Sequence, residues 1–203
     1  MSAPHASARG PGRPREFEIE DALDAAVRVF RERGYHATSI GDLAAAMRLA
    51  AGSIYKAFRD KRAIFLAAFD HYKAGRDAAL RTRLATAATG RDRVRAILAQ
   101  YASLSSGVEG RRGCLVVGTA AELATFDPEV AARVATALNR TEALLAEAIA
   151  HGQSDGSVAR TLDTATTARL LLCVLQGMRV LGKTGRTRAQ MQAAADVAMK
   201  LLN

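Results

Sequence analysis

At 203 residues and 49% hydrophobic, the chain can bury a substantial core as one or two domains, and few aromatics with abundant alanine and leucine favour helix. A formal net charge of +9 and a pI near 10.2 suit a polyanionic partner, although basic residues are spread from Arg9 to Lys200. Cys114 and Cys173 are too few for a disulfide framework, no apolar run approaches the roughly 20 residues that span a bilayer, and the start MSAPHASARG lacks a signal core, so no membrane contact and a cytoplasmic protein are expected.

Residues 1–15, rich in Pro, Gly, Ala and Arg, read as a disordered basic arm. Within it Gly12-Arg13-Pro14 is similar to the core of an AT-hook, which would lay Arg13 along a narrow minor groove; the alternative is a solvated tail. Glu16 to Arg33 reads as a helix with Ile19, Leu23, Ala26, Val27 and Phe30 in one apolar stripe, ended by Gly34. Thr38 to Lys61 reads as two short helices joined by a tight turn. Ser39 and Asp42 form a capping-box-like start, and Leu49, Ile54 and Phe58 point inward. The other side, Ala50, Ala51, Gly52 and Ser53, has so little bulk that it can approach an anionic surface closely.

A long helix follows from about Arg62 into the mid-eighties, with Ile64, Phe65, Ala68, Phe69 and Tyr72 inward. Arg91 to Ser105 forms another stripe, and glycines at 107, 110 and 113 then read as a loop. A short apolar helix is expected from Cys114 to Phe126, where Asp127-Pro128-Glu129 gives an N-cap and a proline at the first helical position of the next helix, running to Gly152. Asp163 can cap a helix that is apolar nearly all round from Leu170 to Leu181, which calls for a covering partner. Thr187 and Gln190 open a last helix with Met191, Ala194, Val197, Ala198 and Leu201 in one stripe. The expected fold is all-α with about nine helices. The expected units are the arm 1–15 and two helical units, 16–61 and 62–203.

The ordered set Leu23, Ala26, Phe30, Gly34-Tyr35, Thr38, Ile40, Leu43-Ala44, Leu49, Gly52, Ile54-Tyr55, Phe58 and Lys61 resembles the N-terminal domain of the TetR family of bacterial transcriptional regulators. Gly113-Cys114-Leu115 and Gly152-Gln153 are similar to one of its C-terminal subtypes. The resemblance implies a three-helix domain whose recognition helix, Ala50 to Phe58, enters the major groove. Ser53 would then meet base edges and Thr38, Tyr55 and Lys61 phosphates, while Ser39, Ala51, Gly52 and Lys56 complete the DNA face. Two positions depart from the family pattern. Arg48 stands where glycine is usual, so either the turn differs or Arg48 accepts strain for a phosphate contact, and Ala51 stands where a polar residue is common.

The resemblance further implies a homodimer through the two C-terminal helices, a palindromic double-stranded operator, and repression relieved by an unknown small molecule that tilts the helix beginning at Arg62. Inward positions make Phe69, Tyr72, Tyr101, Cys114, Phe126, Thr141, Leu145, Cys173 and Gln176 the candidate pocket. The two cysteines have oxidant sensing as an alternative role. His5, His36, His71 and His151 share no metal-ligand spacing, and no phosphate loop or nucleophile elbow is present, so no metal, cofactor or catalysis is expected. The rival function is an architectural DNA-coating protein without a ligand switch.

Overall fold

A computed structural model describes the backbone of residues 13–203 and the side chains from Ile19 onward. The described residues form ten α-helices and a closing 3-10 turn, with no strand. α1 spans Arg13–Arg33, α2 Ile40–Met47, α3 Ala51–Ala57, α4 Lys61–Leu84 and α5 Gly90–Leu104. α6 spans Gly107–Arg112, α7 Leu115–Glu122, α8 Pro128–Asp155, α9 Thr164–Gly182 and α10 Arg188–Ala198, before the 3-10 turn Met199–Leu202. The nine expected helices are all present, and α6 is the addition. Its segment reads as a loop because of its glycines, yet Gly110 lets it seat under the end of α5, where a β-carbon would come within 2.6 Å of the Ser105 backbone.

The expected arm is shortened at its end. α1 opens at Arg13, three residues before Glu16, because a proline in a first helical turn sacrifices no intrahelical hydrogen bond. The rest of the arm, residues 1–12, and the side chain of Arg13 lie outside the described residues. The caps follow the chemistry of the sequence. Ser39 and Asp42 form a reciprocal capping box, Asp60, Thr89, Asp127 and Asp163 each accept from a first-turn amide, and Thr187 with Gln190 repeats the box at α10.

Two apolar cores hold the helices. The first joins Phe30, Leu43, Ile54, Ile64 and Phe65 of α1–α4 to Leu115, Val116 and Leu123 around α7 and Val130 and Val134 of α8. The Phe30 and Phe65 rings meet edge to face at 5.1 Å. The second joins Leu80, Ile97, Leu98, Leu145, Ile149, Leu171, Leu175 and Leu202. The boundary between residues 61 and 62 therefore divides the sequence more sharply than the packing, since α4, α7 and α8 complete the core under the first three helices.

A charged cluster reinforces that junction. Glu109 of α6 accepts from Arg31 of α1 at 3.1 Å and from Arg76 of α4 at 2.9 Å, while Arg112 bonds its other oxygen at 3.1 Å. Partial burial raises the Glu109 pKa, but Arg31 and Arg76 outweigh it and hold the carboxyl at about 2. A depressed carboxyl contributes stability that is present above its unfolded value of 4.5 and disappears as the pH falls toward about 2. Thermal midpoints of the wild type and Glu109→Gln should therefore differ near neutral pH and converge as the pH is lowered through that window. A gap that persisted unchanged at the acid end would remove this account of the cluster.

Candidate DNA-binding face and ligand cavity

α3 has seven residues, too few to persist as an isolated helix, and one buried side chain, Ile54, fixes it to the core. Leu49 and Phe58, both half-buried, pin the chain on either side of it. Every other α3 side chain faces solvent, so Ala51, Gly52, Ser53, Tyr55 and Lys56 share an open surface, with Tyr55 57% exposed. A β-carbon built on Gly52 meets nothing within 4 Å, so the fold itself does not require glycine there.

The α2–α3 turn keeps its left-handed geometry without glycine. Arg48 has φ 55° and ψ 38° and is the one non-glycine residue with positive φ among the described residues. The Leu49 amide reaches back to the Ala44 carbonyl at 3.1 Å, as in a Schellman motif, and Arg48 carries a strain of about 1 kcal/mol or more. Its side chain is exposed beside the face of α3.

Two expected phosphate anchors sit differently. Thr38 is only 1% exposed and its hydroxyl donates to the Gly34 carbonyl at 2.6 Å, so this side chain closes the loop from within and its hydroxyl is already used. Lys61 donates to the carbonyls of Tyr35 and Thr38 at 3.0 and 2.9 Å, with its ammonium 4.3 Å from the Tyr35 ring centre. It fastens the α1–α2 loop, and a phosphate contact has to share it. Ser39 is exposed, with its hydroxyl bonded to Asp42 at 2.7 Å.

The pocket candidates separate into two groups. Tyr72, Tyr101, Cys114, Thr141 and Gln176 line one cavity of about 50 Å³ between α4, α5, α8 and α9. The other four lie elsewhere. Phe126 is 80% exposed in the turn before α8, because α7 stops at Glu122. Leu145 is fully buried in the second core, Phe69 belongs to the first, and Cys173 faces outward on α9.

Residues that the sequence reading missed give the cavity its polarity. Arg179 is 2% exposed; it bonds the Leu104 carbonyl and, at 3.1 Å, the Gly113 carbonyl, so it sits at the ends of α5 and α6. A single cation inside the apolar run of α9 was the signal for it. Gln100 is 5% exposed and its Oε1 has no partner in the cavity wall. Burial raises the Cys114 pKa, yet the Arg179 guanidinium and the Tyr72 hydroxyl at 3.8 Å bring it below that of an ordinary thiol.

The helix-turn-helix geometry and the cavity behind it agree with two family models. Residues 22–68 match "Bacterial regulatory proteins, tetR family" and residues 90–198 match "Tetracyclin repressor-like, C-terminal domain". The chain belongs to the TetR family. Among relatives of this TetR regulator, YezE of Bacillus subtilis, an uncharacterised HTH-type transcriptional regulator, is 26% identical over 95% of this chain and 100% of its own length. The HTH-type transcriptional repressor ComR of Escherichia coli is 27% identical over 94% of this chain and 91% of its own. Among solved structures, a cysteine mutant of the TetR family regulator CifR complexed with operator DNA is 31% identical, covers 93% of this chain and 98% of its own, and has a TM-score of 0.79. A TetR regulator from Chloroflexus aurantiacus, at 24% identity and a TM-score of 0.83 over 93% and 96% of the two chains, shares the fold.

The open space at Gly52 makes a two-sided prediction. Gly52→Ala should stabilise the protein by about 0.5–1 kcal/mol through helix propensity. It should weaken binding to DNA selected by the wild type, because the added methyl stands where the helix meets the groove. A stabilised variant with unchanged DNA affinity would show that this edge of α3 does not approach the bases.

Proposed function

We propose that the chain is a homodimeric repressor whose two α3 helices read the half-sites of a palindromic operator, and that a small molecule entering the α4–α5–α8–α9 cavity releases it. It acts in the cytoplasm, where that DNA lies. The observation that carries this reading is the outward side of α3, which the fold exposes with small and polar residues while anchoring the helix through Ile54 alone. The CifR complex with operator DNA and the repressor name of ComR support it. FadR of Bacillus subtilis, which shares the fold at 19% identity with a TM-score of 0.73, was crystallised with stearoyl-CoA, in keeping with ligand response within this architecture.

Direct DNA contact is assigned to Ser53, Tyr55 and Lys56, the backbone around Ala51 and Gly52, and Arg48, with Ser39 at the start of α2. Lys61 and Thr38 serve chiefly to shape the loop that presents them. Domain limits at 16–61 and 62–203 describe these roles, with α4 belonging to both.

The dimer surface lies on the outer side of the last two helices. Leu170, Val180 and Leu181 of α9, with Cys173 between them, and Val197 and Leu201 at the end of the chain are exposed. Leu171 and Leu175 face the opposite way and are fully buried in the second core, so the nearly all-round apolar pattern of α9 reflects two packed sides. The cavity favours a regulator over an architectural DNA-coating protein, which has no use for an enclosed space with a few polar groups behind its DNA-binding domain.

Selection of bound fragments from random DNA should return a palindrome whose half-sites are about one helical turn, or a multiple of it, apart. Sedimentation should show a dimer that Val180→Asp or Leu181→Asp dissociates while helicity persists. Tight binding of a monomer to a non-repeated site would overturn the two-half-site mechanism. Ser53→Ala should alter preference among operators more than overall affinity, measured on a panel of half-site variants.

A further inference from the structure

The loop between α1 and α2 decides where the DNA-binding helices begin, and it is held from outside on both of its polar edges. Its carbonyls at Tyr35 and Thr38 take the Lys61 ammonium of α4. Its amides take a carboxylate from far along the chain. Glu122, the last residue of α7, accepts from the Tyr35 amide at 3.0 Å and from the His36 amide at 2.7 Å. Gly34 makes this possible. With φ at 80° it turns the two following amides toward one point, as an anion-binding nest does, and a β-carbon there would lie 2.7 Å from Glu122 Oε2.

The opposite end of α7 is at the cavity. Cys114 and Val116 line it. The Gly113 carbonyl just before α7 takes Arg31 of α1 at 2.9 and 2.7 Å and Arg179 of α9 at 3.1 Å. α7 is eight residues long, so about 12 Å of regular helix separates the cavity wall from the nest. A helix of that length moves as a body, and its two ends are fastened by hydrogen bonds to charged groups, which are the stronger kind.

We infer that Glu122 is a positioning residue for DNA binding: its carboxylate, seated in the Gly34–His36 nest, fixes the start of α2, and α7 carries displacement from the cavity to that nest. The second half of the inference rests on the cavity being the ligand site; the first half does not. The route differs from a tilt of α4 alone, because α4 holds the carbonyl edge of the loop while α7 holds the amide edge. Occupation of the cavity pushes α7 along or away, the nest empties, and of the loop's two polar attachments Lys61 remains.

The test uses the full-length chain and amide hydrogen exchange read residue by residue by NMR. Glu122→Ala should speed exchange at Tyr35 and His36 by about tenfold or more while core amides such as those of Phe65 and Leu98 stay protected. Its affinity for DNA selected by the wild type should fall by about tenfold, and Glu122→Gln, which keeps one acceptor, should fall between. Thr141→Phe and Gln176→Phe fill the cavity from its wall in place of a ligand. Each should speed exchange at the same two amides, and each should lose little further affinity when combined with Glu122→Ala. Unchanged exchange at Tyr35 and His36 in Glu122→Ala overturns the positioning role. Cavity-filling losses that add in full to that of Glu122→Ala overturn the α7 route. If one filled variant does not fold, the other carries the cavity arm of the test. A wild-type chain that selects no DNA would sink the proposed function and leave the exchange result standing.

Discussion

Two buried guanidiniums, Arg31 from α1 and Arg179 from α9, converge on the carbonyl oxygen of Gly113. Burying a guanidinium costs several kcal/mol unless its donors are satisfied, so these side chains hold the α6–α7 junction to one geometry. The satisfaction comes from helix ends. Arg179 takes carbonyls at the close of α5 and α6, where the helix dipoles place partial negative charge, and Arg31 adds the Glu109 carboxylate. Because one arginine comes from the DNA-binding helices and the other from the outer C-terminal pair, neither end of the molecule can shift far without disturbing the other.

The DNA face is built on the opposite physical choice. Where the junction is over-determined, α3 is held by one fully buried side chain and by a turn that stores strain at Arg48. A glycine at position 48 would relieve that strain, and Gly52 could be alanine without a clash in the free protein. Both positions give up stability on the exposed side of α2 and α3, the pattern expected where a site outranks the scaffold.

Much of this was legible in the sequence because it is local. Capping boxes at Ser39 and Thr187, the Asp127-Pro128 start and the Gly34 stop depend on neighbours three or four residues away, so helix limits could be read directly. α6 could not, since Gly110 is chosen by its contact with Ser105 and Gly182 rather than by helix propensity. The pocket was half legible for a related reason. Periodicity places Tyr72, Tyr101 and Thr141 inward but cannot say which inward residues face each other, so Leu145 and Phe69 were indistinguishable from them. Phe126 lies outside the cavity because α7 ends at Glu122, four residues before the limit its apolar pattern suggests. Thr38 and Lys61 bond loop carbonyls, a use the sequence does not announce, because a basic or hydroxyl side chain at this place serves a loop carbonyl as readily as a phosphate.

The size of the cavity bears on how such a molecule responds to a ligand. About 50 Å³ holds a few water-sized bodies, well short of a drug-sized compound, so under the proposed function a larger ligand would have to part α4, α5, α8 and α9. The ligand shifts the protein only by its preference for the parted state, and coupling energies between sites are commonly about 1–3 kcal/mol. A single hydrogen bond to a charged group contributes about 1.5–3 kcal/mol. Release of the two Glu122 bonds is therefore on the scale of the whole regulatory signal, and no helix has to unfold for the recognition helices to lose their spacing.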